Sequence, residues 1–598
     1  MPNLLIYTLG PVQDFIAAAK RCRDLWFGSW LLSELSKAAA ASVADQCGRK
    51  ALIFPAPATT EDLAPASRMS VANKIVAELP DGSEPKFIAD LITAGVRTRL
   101  RELRDEAFDN KPSFDHILAE QQIEDLIDTQ WVSVVVDPQK GYAAARRRGE
   151  QLLASAKNTR IWGQPPWQTG SQPKSSLDGL RESVLNETIY RGQTQHRTAF
   201  KIGEAERLCG IGLLKRHGKR RDKLDPIDSD EDHLFFSTPH LAALPVITRI
   251  NSLVPAQKDQ AQLLWNGYLD ALRAHSADLG KTVHPQWRDP FLGGHDGQLL
   301  FESRVIERLA HLAPEQQRLA LSDALPCLHR FLTAIGVATP LPYIAILVAD
   351  GDHIGKAIDQ IKTVEDHRKL SIDLDGFARA ARSTVSRHSG QLIYAGGDDV
   401  LAFVPLHRAI DCARALADDF QARLQVHGDG ITSPTLSVGV AICHFMNPMT
   451  KSLEAARKAE KLAKRARNSL ALILHKRSGP PVESTGRWDN NIYEVLQSLI
   501  ALHLGDAIPD KLAHDLQELT RLRHRSLPEH QNRLDKIMTA EFHQILARKR
   551  AHRGTEELDK MTLEHLQPQD PELAPRLLIT KILAEAMQTA TAPMENAP

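Results

Sequence analysis

The chain has 598 residues, 42% of them hydrophobic and 25% charged, with 74 Lys and Arg balanced by 74 Asp and Glu. Such a length provides for about four domains of ordinary size, and the balanced charge means that nucleic-acid contact would use local basic patches rather than a global positive field. Six scattered cysteines with no CxxC pair argue against a disulfide framework and fit a reducing cytoplasm, while the absence of a signal-like start or an apolar run near the ~20 residues of a bilayer span argues against secretion and membrane insertion.

In chain order, residues 3–9 read as a buried strand, Gly10-Pro11 breaks it, and helical patterns run to Lys20 and again over 29–46. Strands at 51–54 and 69–79, a helix over 87–108 and a strand at 131–136 complete a β-α-β-β-α-β order, the ferredoxin-like unit, assigned to residues 1–162. Residues 163–336 read as an irregular connection followed by a mostly helical domain, in which Lys215-Arg216-His217-Gly218-Lys219-Arg220-Arg221 is the densest basic run and by default a solvated loop. A second ferredoxin-like order occupies 337–480: strand 343–348, helix 377–388, strands 391–394 and 400–404 around a two-Gly turn, helix 410–426, strand 436–442, basic helix 453–467 and strand 470–474. From 483 to 598 the spacing of Ile492, Val495, Leu496, Leu499 and Ile500 announces a helical bundle, with solvated basic clusters at Arg521–Arg525 and Arg548–Arg553. The expected fold class is α+β.

Chemistry concentrates in the second unit. An apolar strand ending in Asp350-Gly351-Asp352 and a hairpin tipped by Gly396-Gly397-Asp398-Asp399 fall on neighbouring strands, offering up to four carboxylates at one sheet edge. Carboxylate oxygens suit magnesium, and two such ions can hold an attacking 3′-hydroxyl and a leaving pyrophosphate for in-line displacement. The paired glycines allow the positive φ of a tight hairpin and a close approach by a nucleotide. A Gly-Gly-Asp-Asp string alone is weak, since Gly-Asp turns are common; the apolar flanking strands and the preceding carboxylate strand give it weight. Lys461 and Lys464 follow on a later helix, where an ammonium could meet a triphosphate, although exposed helix lysines usually do nothing specific.

These residues resemble the palm shared by polymerases and GGDEF-type cyclases around Asp350 to Lys356, Gly396 to Asp399, Ser437-Val438-Gly439 and Ala459 to Lys464. A closer resemblance is to the large polymerase-like subunit of type III CRISPR effector complexes, in the type III-B (Cmr) branch. It is carried by Gly10-Pro11-Val12-Gln13-Asp14-Phe15-Ile16, Arg23-Asp24-Leu25-Trp26-Phe27-Gly28-Ser29, Glu206-Arg207-Leu208-Cys209, Leu214-Lys215-Arg216, Phe236-Ser237-Thr238, Asp296-Gly297 and Lys476-Arg477-Ser478-Gly479. The resemblance covers residues 1 to about 480 and implies two palms. It implies a cytoplasmic assembly with CRISPR RNA, target RNA and other subunits, including a small helical one docked on residues 483–598. It also implies conversion of ATP to cyclic oligoadenylate with Mg2+ or Mn2+.

Carried over residue by residue, it implies metal binding and catalysis by Asp350, Asp398 and Asp399. It implies nucleotide contact by Gly351, Asp352, His353, Ile354, Gly396, Gly397, Ser437 and Lys464. The first palm lacks a Gly-Gly-Asp-Asp equivalent and would hold a second nucleotide without metals; Gly28 and Ser29, read as a turn at a helix start, could offer it backbone N–H groups, although an ordinary helix cap is the default reading. Relatives carry a four-cysteine zinc module, but the matching positions here are Ser175, Asp178, Cys209 and Gly212, so no zinc is expected. The pairs His295-Asp296 and His514-Asp515 read as surface residues rather than a nuclease centre. Two other readings stand beside the synthase: a catalytically weak scaffold of the same ribonucleoprotein, and a stand-alone GGDEF-like cyclase.

Overall fold

The computed structural model describes residues 1–65, 67, 69–159, 173–186, 194–203, 205–218, 236–275, 289–424, 433–509, 511–525, 528–553 and 566–591. Strands β1 (Asn3–Gly10), β2 (Leu52–Phe54), β3 (Lys74–Leu79) and β4 (Asp128–Val135) form an antiparallel sheet in the order β2-β3-β1-β4. Central β1 is apolar from Leu4 to Tyr7 and at Leu9, on both of its faces, because both are covered. Leu5, Tyr7 and Leu9 pack with residues of helices Cys22–Cys47 and Pro85–Phe108, while Leu4 and Ile6 pack with Tyr142, Ala145 and Leu153 of helix Gly141–Asn158.

The helix expected from residue 29 begins earlier, at Cys22, and runs unbroken for 26 residues. Gly28 and Ser29 are therefore interior, their N–H groups committed to the helix rather than free at a terminus. Gly28 instead makes room: a Cβ there would stand 3.2 Å from Cε of Lys215. The basic run is likewise not a solvated loop where it is described. Lys215, Arg216 and His217 are buried in helix Gly210–His217; Lys219–Arg221 lie outside the described residues. Arg216 grips the Asp24 carboxylate through two bonds of 2.8 and 2.9 Å and Glu206 at 2.8 Å. Arg23 donates to the carbonyl of Lys215 at 2.9 Å, and the Lys215 ammonium lies 4.2 Å from the Phe15 ring centroid. A buried guanidinium persists only when its donors meet charge and carbonyl oxygens together, as here.

Ser175, Asp178, Cys209 and Gly212 do come together. Gly212 N donates to the Cys209 sulfur at 3.3 Å, and Asp178 lies 3.8 Å from that sulfur while pairing with Arg181 at 3.1 Å. Asp296 is buried rather than superficial: it accepts from Ser237 at 3.0 Å and from Gln298 N at 2.8 Å. His514 and Asp515 are exposed.

A second sheet, in the order β10-β9-β8-β5-β7-β6, comprises β5 (Tyr343–Asp352), β6 (Gln391–Gly396), β7 (Asp399–Val404), β8 (Thr435–His444), β9 (Ser469–His475) and β10 (Val482–Arg487). Its β8-β5-β7-β6 part repeats the first sheet's strand order; β9 adds in parallel to β8 after helix Met449–Ala466, and β10 adds antiparallel to β9. Strand β10 falls where the sequence reads as the start of the helical region. Its polar sequence carries no strand periodicity, and its pairing depends on distant residues: Thr485 donates to Glu572 at 2.9 Å and accepts from Arg576 at 3.1 Å. Helices Ile492–Leu504 and Leu573–Thr591 place Ile492, Leu496, Ile500, Ile579 and Leu583 in the core of this second sheet.

The two sheets are tied by Tyr142 Oη and His367 Nδ1 at 2.6 Å, Arg146 and Asp359 at 3.1 Å, and the Ala56 N–H donating to Ser371 at 3.0 Å. Among the described residues no helix is long and apolar enough to cross a membrane.

Candidate active site at the edge of the second sheet

Strand register brings the carboxylates together. Ala349 pairs with Val400 of β7, and Asp350 pairs with Ser437 of β8; continuing the β5–β7 ladder by one residue sets Asp350 level with Asp399. Gly396 pairs with Asp399 across a two-residue turn in which Gly397 has φ +65°. Asp398 then folds over β5 so closely that a Cβ on Gly351 would stand 2.7 Å from the Asp398 Cβ. Gly351 is thus required by the approach of the hairpin.

The cluster is electrostatically strained. Desolvation and then repulsion from Asp350 push the Asp398 carboxyl up to about 6. Crowding by protein, then repulsion from Asp398 and Asp350, holds Asp399 well above the carboxylate range. Since the Asp399 side chain is exposed, the like-charge repulsion is the part of this that contact with water leaves standing. Glu460, on helix Met449–Ala466, is raised first by burial and then by Asp350. Sequence reasoning passed over Glu460. Its signal lies in Gly439: a Cβ there would be 2.0 Å from the Glu460 nitrogen, so helix and β8 touch backbone to backbone.

The same approach delivers Lys464, whose ammonium lies 2.8 Å from Asp350 Oδ1, donates to the Gly351 carbonyl at 2.7 Å and is 3.6 Å from Asp352 Oδ1. Lys461 is exposed. Among the described residues no three His, Cys, Asp or Glu side chains converge as a ready metal-ligand set. The donor chemistry nonetheless suits a hard divalent cation: Asp350, Asp398 and Asp399 are oxygen donors that repel one another, and a cation already sits against Asp350.

Asp352 and Ser437 do not face this edge. Asp352 is 1% exposed and its carboxylate accepts from Thr435 at 2.9 Å, from Ser437 at 2.8 and 2.9 Å, and from Asn468 N at 2.9 Å. The Ser437 hydroxyl donates to that carboxylate, which leaves the backbone of this stretch as the part that could meet a nucleotide. His353 has φ +64° and precedes Ile354, the first residue of helix Ile354–Gln360; its ring lies 2.8 Å from Arg467 Nη1. Burial and then Arg467 lower its pKa, which keeps the imidazole able to accept.

Gly28 and Ser29 are not part of this edge. Ser29 does line a cavity of about 50 Å³ between helix Cys22–Cys47 and β6, with Trp30, Lys37, Arg382 and Tyr394.

Residues 343–471 match the second palm domain of Cas10/Cmr2, and residues 4–108 match the N-terminal region of the CRISPR-associated protein Cmr2. The Cmr2 subunit of the Pyrococcus furiosus CRISPR Cmr system is 24% identical over 574 residues, covering 82% of this chain. The chain spans 63% of the length of that relative. The fold is similar to a chain in the cryo-EM structure of type III-B Cmr-beta in the apo state, at TM-score 0.62 and 14% identity over 98% of this chain and 81% of that one. With the Cmr-beta complex bound to cognate target RNA the values are 0.64 and 14%, over 98% and 83%.

Proposed function

We propose that the chain, whose residues 343–471 and 4–108 match Cas10/Cmr2 domains, is the large subunit of a cytoplasmic type III-B CRISPR complex that converts ATP to cyclic oligoadenylate when target RNA binds. The observation that carries this reading is the gathering of Asp350, Asp398 and Asp399 at one sheet edge against their own repulsion, with Lys464 beside them. A scaffold has no use for such strain.

Mg2+ or Mn2+ held by Asp350, Asp398 and Asp399 would supply Lewis-acid stabilisation of phosphoryl oxygens. The chain's own residues do the rest. Asp399, exposed at the hairpin tip and level with Asp350, is placed to take the proton of a 3′-hydroxyl. Lys464 faces the triphosphate as a compact positive charge, the backbone from Gly351 to Ile354 and at Gly396 would meet phosphate, and Gly397, with nothing within 4 Å of a Cβ there, leaves room for it to approach. CRISPR RNA, target RNA and the remaining subunits are partners of the assembly, and the region after residue 483 is where a small helical subunit would dock.

Incubating the assembled complex with ATP, Mg2+ or Mn2+ and complementary RNA, then identifying products by mass spectrometry, tests the reading. Cyclic oligoadenylates are expected from the wild type, and none from the Asp398→Asn, Asp399→Asn chain, which should still bind target RNA. Equal product from both would move the chemistry elsewhere. Supplying each nucleoside triphosphate separately distinguishes ATP from the GTP of a diguanylate cyclase.

A further inference from the structure

We propose that Asp352 is a positioning residue that acts through Lys464: its carboxylate is the fixed counter-ion that holds the ammonium over the end of β5 and locks the turn after helix Met449–Ala466, without touching metal or nucleotide. This deepens the nucleotidyltransferase reading and rests on it for the triphosphate contact of Lys464.

Both carboxylate oxygens of Asp352 are engaged inside the protein, by two hydroxyls of β8 and one backbone N–H, and 1% exposure leaves no approach for a ligand. Asp350, two residues earlier on the same strand, has a side chain 35% exposed. Burying a carboxylate on uncharged donors alone is costly, and Lys464 at 3.6 Å is the charge that offsets it.

The third donor matters for geometry. Asn468 follows Arg467, and both have positive φ, 45° and 55°, a conformation that a non-Gly residue holds only where its surroundings impose it. The Asn468 N–H bond to Asp352 imposes it, together with Arg467 N donating to the Ala463 carbonyl at 2.8 Å and Ser469 Oγ to the same oxygen at 2.7 Å. Lys464 lies within this clamped last turn. Its ammonium therefore has three anchors: the Gly351 carbonyl, Asp350 and Asp352. A cation arriving at Asp350 would compete for one of them and leave the other two, so Lys464 would remain at the strand end, free to turn toward phosphate.

The test needs no nucleotide to begin. The full chain is trace-labelled with acetic anhydride and the acetylation of Lys464 is read by peptide mass spectrometry against exposed Lys461. Asp352→Asn is expected to raise the Lys464 to Lys461 ratio about fivefold or more, the scale of losing one charge-assisted contact; an unchanged ratio overturns the proposal. If that variant does not fold, the Thr435→Val, Ser437→Ala chain keeps the charge but loosens it, and should move the ratio in the same direction. Mn2+ binding read by electron paramagnetic resonance should be retained in Asp352→Asn and weakened in Asp350→Asn; weakening in both would make Asp352 a ligand and overturn the proposal. In the complex, Asp352→Asn and Lys464→Ala should each weaken ATP more than AMP, and the double variant should be no worse than Lys464→Ala. Multiplying losses would refute action through Lys464. A wild type that binds no ATP would sink the nucleotidyltransferase reading, while the labelling ratio still decides the role of Asp352.

Discussion

Gly351→Ala isolates the contact between the hairpin and β5. A Cβ at this position would stand 2.7 Å from the Asp398 Cβ, 2.8 Å from Ile354 Cγ1 and 2.9 Å from Asp398 Oδ2. Carbon atoms settle at about 3.5–4.0 Å, so the hairpin tip must retreat by roughly 1 Å. The backbone itself accepts Ala, because Gly351 lies in a paired strand and does not have positive φ. Overpacking of this kind costs about 1–3 kcal/mol of stability, and a displacement of ~1 Å in reacting groups costs about 100-fold in rate. Oligoadenylate formation by the assembled complex at saturating ATP reads the rate, and a thermal melt of the chain reads the stability. Gly355→Ala is the control: nothing lies within 4 Å of its Cβ, and the residue is helical, where Ala is favoured over Gly by about 1 kcal/mol. If Gly351→Ala kept activity within about threefold of the control, carboxylate placement by the hairpin would not limit the chemistry and the argument from that contact would fail.

Three further outcomes follow from the packing. Arg216→Met leaves Asp24 and Glu206 buried without their cation and should cost about 3–5 kcal/mol in denaturant unfolding; an Asp24→Asn, Glu206→Gln, Arg216→Met chain should recover much of it, and no recovery would deny that charge is the cause. Burial, and then the Arg146 and Lys74 charges, hold His367 down to about 4 from an ordinary 6.5, so the unfolded chain takes up a proton there that the folded one refuses. Its contribution is complete above about 6.5 and fades as pH falls toward 4, amounting at most to about 3 kcal/mol; His367→Gln should flatten the stability profile across that window, and an unaltered profile would exclude the residue. Deleting residues 483–598 would release the small helical subunit if that region docks it, but it also takes away most of β10 and the core residues Ile492, Leu496, Ile579 and Leu583. The truncated chain should therefore be insoluble or melt early, and a stably folded truncation would contradict the shared core.

The strand and helix periods determined the α+β class, and the order of two ferredoxin-like units follows from patterns that are local: apolar runs at 3–9 and 343–348, and turn residues at 396–397. The proximity of Asp350 to the hairpin was legible for the same reason, since adjacent strands in that order must be neighbours. What the sequence could not fix depends on contacts between residues far apart in the chain. Lys215-Arg216-His217 reads as a solvated basic run because charge patterning counts neighbours along the chain. Its burial is decided by Asp24 and Glu206, brought in from 192 and 10 residues away. Gly28-Ser29 reads as a turn because Gly breaks the pattern, but the break exists to admit Lys215. Strand β10 has no period of its own and forms because β9 and residues 572 and 576 complete its hydrogen bonds. Asp350 and Asp352 are chemically identical in sequence and sit on the same strand. Only the tertiary structure separates them, by giving Asp352 three internal donors and burial, and leaving Asp350 open at the edge with Lys464.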